Sequence, residues 1–165
     1  MQFQFVTGFS GQYLPVSASE MDRLEETYHF TFPAVLREYY LRYNGCETAS
    51  CLGKMEGDLF IVTEILPIGG GDISLEDMIS FDRDNEIIQP HLIPFAQNGL
   101  AGVYYFDAHT ENIFLSYRED EEDFTFICAG METFFHILNQ TCHGQDEDNA
   151  PDINEIIKER NTWNR

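Results

Sequence analysis

Positive charge is what this sequence most lacks. Its 165 residues hold 9 Lys and Arg against 29 Asp and Glu, a formal net charge of −20. Binding along a phosphate backbone needs a basic footprint, so direct nucleic-acid binding is excluded as the main activity. Docking on anionic lipid is excluded on the same ground. Long apolar runs are missing too. The most apolar stretch, Leu59 to Ile68, is broken by Thr63, Glu64 and Pro67. It falls well short of the roughly 20 residues that a membrane-spanning helix needs. Cysteine is sparse. Cys46, Cys51, Cys128 and Cys142 do not reach the density of a disulfide-stapled secreted fold. A chain of this length can build a core without staples. Reduced thiols in a cytoplasm are therefore expected, with a bridge between Cys46 and Cys51 left open. The opening Met-Gln-Phe-Gln-Phe-Val has neither a basic n-region nor an apolar h-region, so no secretory signal is expected.

What the sequence does have is apolar material: 43% hydrophobic and 14% aromatic residues. That is enough for a packed core and excludes wholesale disorder. The length suits one domain over residues 1–165. Its expected core runs from about residue 17 to 140, with an acidic C-terminal extension over 142–165.

The pattern along the chain starts with helices. Residues 1–16 carry Phe3, Phe5, Phe9 and Tyr13, which suit a short strand or a packed arm. Ser17 with Glu20 fits a capping box, and Met21, Leu24 and Tyr28 fall on one helical face. Pro33 suits the start of a second helix, whose stripe is Val35, Leu36, Tyr39, Tyr40 and Tyr43. Asn44-Gly45 closes it with a left-handed cap. The middle then changes period. Leu59 to Ile68 predicts one or two strands, and Ser74 caps a short helix ending at Phe81. Strands are predicted at His91 to Ala96, Gly102 to Asp107, Ile113 to Tyr117 and Phe124 to Cys128. The second and third of these should pair as an antiparallel hairpin. Met131, Phe134, Phe135 and Leu138 mark another amphipathic helix, and Ile153, Ile156 and Ile157 a last short one. Helices, then mostly antiparallel strands, then helices give an α+β fold.

Several stretches in this order carry a resemblance. They are the acidic helix Glu20 to Glu26, the run Phe32-Pro33 to Asn44-Gly45, and the strand into a turn from Leu92 to Gly99. Gly102 to Asp107 with Ile113 to Leu115, and then Ala129 to Leu138, complete the set. Together they resemble the SUKH superfamily of Smi/Knr-like domains. Val103 is a departure, since members often carry Asp or Asn there. The resemblance implies a mainly antiparallel sheet flanked by helices. It also implies a non-enzymatic binding role with no cofactor and no metal. Bacterial members commonly act as immunity proteins that neutralise polymorphic toxins, many of them nucleases. Eukaryotic members act as regulatory adaptors.

Two acidic clusters are candidate toxin-binding sites. The first is Glu119, Asp120, Glu121, Glu122 and Asp123, five like charges that read as a solvated loop or as a patch for a basic partner. The second is Asp82, Asp84 and Glu86, spaced by two. Their oxygens suit Ca²⁺, but the EF-hand pattern of glycine and closing glutamate is missing. Gly69-Gly70-Gly71-Asp72 lacks the Gly-Lys-Ser/Thr of a phosphate loop, so it reads as a plain turn. No nucleophile elbow or zinc-enzyme motif occurs. The expected partner is thus a basic protein, a cognate toxin domain. A general adaptor and an enzyme built on clustered carboxylates are the rival classes.

Overall fold

A computed structural model describes residues 14–44, 46–55, 58–86, 88–117 and 124–142. The chain runs α1 (Ala18–Tyr28), α2 (Ala34–Tyr43), β1 (Cys46–Met55), β2 (Asp58–Ile65), α3 (Leu75–Asp84), β3 (Leu92–Gln97), β4 (Val103–Asp107), β5 (Asn112–Ser116), β6 (Phe124–Ala129) and α4 (Met131–Cys142). This is an α+β fold. The first aromatic segment and the expected helix at Ile153 to Ile157 lie outside the described residues.

Local chemistry sets the helix ends. At α1 the Ser17 N–H donates to Glu20 Oε2 at 2.8 Å, and the Glu20 N–H returns to Ser17 Oγ at 3.2 Å. At α3 the Ser74 N–H donates to Asp77 Oδ2 at 3.0 Å, and the Asp77 N–H to Ser74 Oγ at 3.1 Å. Each box satisfies two N–H groups that a helix start leaves without partners. Those bonds to Ser17 and Ser74 hold the Glu20 and Asp77 carboxyls below their ordinary range. α1 stops at His29 (φ 58°) and α2 at Asn44 (φ 45°), both left-handed.

Asn44 does more than end a helix. Its side chain is buried and joins three pieces of chain. Nδ2 donates to Leu14 O at 2.6 Å and Ile68 O at 3.0 Å, and Oδ1 accepts from the Ile68 N–H at 2.8 Å. A second asparagine shapes the turn between β3 and β4. Asn98 Oδ1 accepts from the N–H of Leu100 and of Gly102, each at 2.9 Å. A Cβ on Gly102 would sit 2.4 Å from Asn98 Nδ2, so only glycine fits there.

The six strands form one sheet in sequence order, β1 to β6, and all neighbours are antiparallel. The predicted β4–β5 hairpin is present, with Tyr105 opposite Phe114. β1 was not expected. Cys46 to Met55 shows no apolar alternation in sequence, and it is strand because it pairs along β2, from Cys46 opposite Ile65 to Met55 opposite Asp58.

Side chains alternate across a strand. Tyr104 and Phe106 face the helices, where α4 inserts Phe134 with its ring 5.2 Å from Phe95 and 5.7 Å from Tyr104. Phe30 and Phe32 reach Phe106 at 6.0 and 6.4 Å. Tyr39 stacks on Phe135 at 5.3 Å, while Tyr43 is only half-buried and leans on Tyr39. Two buried hydroxyls of this core are satisfied by backbone. Tyr40 donates to Leu66 O at 2.7 Å and Tyr104 to Ile61 O at 2.5 Å.

Replacing Asn44 should be costly. Asn44→Ala removes three side-chain bonds, two of them buried, and the left-handed preference, with an expected loss of about 2–4 kcal/mol in urea unfolding. Asn44→Gly keeps the backbone conformation and loses the bonds, so it should recover only the smaller share. Equal stability of Asn44→Ala and the natural chain would show that these bonds do not hold the three segments.

Candidate functional site

The sheet face opposite the core is built by the same alternation. Tyr105 points there because Tyr104 and Phe106 point inward. Register brings Phe114 opposite Tyr105, Phe126 opposite Phe114, and Phe124 opposite Ser116. Partners in an antiparallel pair share a face, so these rings form a row. Tyr105 and Phe124 lie 5.8 Å apart, Phe124 and Phe114 6.4 Å, and Phe114 and Phe126 5.9 Å. One end of the row is buried. Tyr105 lies under α3 and donates its hydroxyl to Asp82 Oδ2 at 2.9 Å. Burial pushes that hydroxyl far above the usual phenol range. The other end is open, with Phe126 54% exposed.

Phe124 also borders a groove of about 1160 Å³ between the ends of α1 and α3 and the β4–β5 turn. Tyr28, His29, Arg83, His91 and His109 share its lining. Arg83 Nη2 donates to Tyr28 O at 2.6 Å, and its guanidinium lies 5.5 Å from the centre of the Tyr28 ring. His91 and His109 stack at 5.1 Å with their planes 10° apart. Beside them, partial burial works against the Asp107 carboxylate. Hydrogen bonds from the His109 N–H and from Thr110, with the nearby His91, outweigh that and hold it below its ordinary range.

The acidic cluster at the end of α3 does not present one face. The helix runs to Asp84 rather than stopping at Phe81. Residues two apart on a helix point about 200° apart. Asp82 therefore turns inward, 3% exposed and bonded to Tyr105, and offers no carboxylate to a partner. Asp84 is exposed, and Glu86 (φ 53°) is exposed at the rim of the groove. Glu119, Asp120, Glu121, Glu122 and Asp123 lie outside the described residues, in the connection between β5 and β6. Among the described residues no three His, Cys, Asp or Glu side chains are placed to share a metal ion. No described helix is long and apolar enough to cross a membrane. Cys46, Cys51 and Cys142 have side chains outside those described. Cys128 is buried, and burial pushes its thiol up to about 12.

A match to the SMI1 / KNR4 family (SUKH-1) spans residues 15–136. The chain belongs to this family. No curated protein matches it. Within this SUKH-1 domain the matched span opens just before α1 and closes inside α4. It therefore contains the whole aromatic row and the groove. Val103, the departure from the family pattern, is buried at 3% between Gln97 and Ser116. The aromatic row itself was missed in sequence. Its signal was the Phe124-x-Phe126 alternation, which shows a two-sided strand but does not reveal which ring stays uncovered.

Cys128 gives a check on this packing. In native protein at pH 8 it should resist maleimide, and it should label once urea unfolds the chain, as read by peptide mapping. Its raised folded-state value makes the neutral thiol a stabilising species below the ordinary thiol pKa of about 8.5. That contribution should be lost as pH rises from there toward 12, and Tyr105 should add to the loss above about pH 10. Rapid native labelling of Cys128 would overturn this burial.

Proposed function

We propose that this SUKH-1 domain is a bacterial immunity protein that binds a cognate polymorphic toxin, a nuclease by preference, and neutralises it without turnover. The observation that carries the reading is a net charge of −20 on a member of this family. A nuclease groove is built to attract polyanions, and an acidic protein is steered onto it by the same field. Asp84, Glu86 and the run Glu119 to Asp123 are the proposed steering acids. Asp82 is not among them, because it is inside. The mechanism is occlusion: the acidic face covers the toxin's substrate groove, and no catalytic group is required. Such a partner would be met in the cytoplasm, where the nucleic acid is.

Steered binding has a kinetic signature. Charges at the rim of an interface change the association rate more than the dissociation rate. Binding to the product of the adjacent gene should slow by roughly tenfold or more between low and high salt, as surface charges are screened. Asp84→Asn with Glu86→Gln should lower the on-rate at low salt and leave the off-rate nearly unchanged. Stopped-flow mixing at two salt concentrations reads both. A salt-independent on-rate would remove the steering mechanism, and absence of any cationic partner would favour a regulatory adaptor.

A further inference from the structure

We propose that the outer edge of β6 is a docking strand, on which a cationic partner lays an extended segment as a seventh strand with its apolar side chains against Phe126 and Phe114. Among the described residues β6 ends the sheet and pairs with β5 alone. An edge strand carries a row of unpaired N–H and C=O groups, and proteins usually blunt it with charge or proline. Phe124 to Ala129 (Phe-Thr-Phe-Ile-Cys-Ala) contains neither. The opposite edge strand, β1, carries Glu47 and Lys54 and has α4 lying along it. Among the described residues the two edges are thus treated differently, and β6 is the one left open. Beside it stands Phe126, 54% exposed, with Phe114 half-buried behind it. Ile127 is an extra residue in the register, since Phe126 faces Phe114 while Cys128 faces Ile113. That bulge confines the regular edge to Phe124, Thr125 and Phe126.

Main-chain bonds along such an edge supply affinity, and side chains on alternate positions supply specificity. Charge selects the occupant. A second copy would bring two chains of −20 edge to edge, which like-charge repulsion opposes. A strand rich in Lys or Arg is attracted by the same charge. The partner's sign rests on the proposed neutralising function, whereas the open edge and its exposed ring stand without it.

The probe is an end-blocked peptide of alternating Lys and Val, with an analogue N-methylated at every second residue. Amide exchange by NMR on the full chain reads the site. The unmodified peptide should protect amides within residues 124–129, and the N-methylated one should not bind. Phe126→Ala, at an exposed position, should keep the native Tm and weaken binding roughly tenfold or more. Protection elsewhere, equal binding of the N-methylated peptide, or no effect of Phe126→Ala would overturn the assignment. So would a dimer of the free protein, seen by sedimentation, that Phe126→Ala dissolves. If the cognate toxin is captured equally well by Phe126→Ala, the edge assignment fails and neutralisation stands. If the peptide docks on β6 while no cationic partner is found, the edge stands and the neutralising reading fails.

Discussion

The rings clamped between α4 and the sheet are what the rest of the structure depends on. Phe134 touches Phe95, Tyr104 and Phe135, and Phe106 meets Phe30, Phe32 and Phe95. Burying aromatic side chains of this size is the largest favourable contribution available to a small core. Once Tyr104 and Phe106 are committed to that side, alternation leaves Tyr105 no choice but the other. Register then carries the choice outward to Phe114 and Phe126. The uncovered aromatic row is thus a corollary of the core and needs no separate device to create it. What differs along the row is cover. α3 reaches Tyr105 through Asp82, whereas Phe126 meets Phe114 on the neighbouring strand and stays 54% exposed.

How much of this was legible in sequence follows from the range of each interaction. The capping box at Ser17, the N-cap at Ser74, the left-handed Asn44 and the stripe Met131, Phe134, Phe135 and Leu138 are local, and they were read correctly. The β4–β5 hairpin was equally plain, because a polar turn separates two β-rich runs. β1 was invisible because its strand character comes from β2 and not from its own residues. α3 was cut short at Phe81 because Asp82 looked like the polar end of an apolar face. A hydroxyl 23 residues away, on Tyr105, donates to Oδ2 of that carboxylate and holds the side chain inside. The same long-range bond explains why three acids spaced by two looked like a cluster and are not one. Charge counts in a sequence do not say which way a side chain turns.

The family resemblance was carried by stretches whose task is structural. Leu92 to Gly99 and Gly102 to Asp107 are the two sides of a turn held by Asn98 and dependent on Gly102. Phe32-Pro33 to Asn44 is a helix whose end fastens residues 14 and 68. Such motifs specify a scaffold very well and leave its partner unspecified. Partner choice falls to the parts the scaffold does not dictate: charge, exposed rings and the open strand.

The sequential order of the sheet has a consequence for how the chain is assembled. Every strand pairs with its neighbour in sequence, so most closures span a short loop and cost little entropy, the exception being β2 to β3, whose connection holds α3. The sheet can grow one hairpin at a time, each finished strand serving as template for the next. The return of α4 to β1, with Phe30 and Phe32 on Phe106 and Tyr39 on Phe135, joins distant parts of the chain. β6 is the last strand to be laid down. Its bare edge therefore comes into being on a sheet already built, which shortens the time during which a charge-free strand of this kind is open to the wrong neighbour.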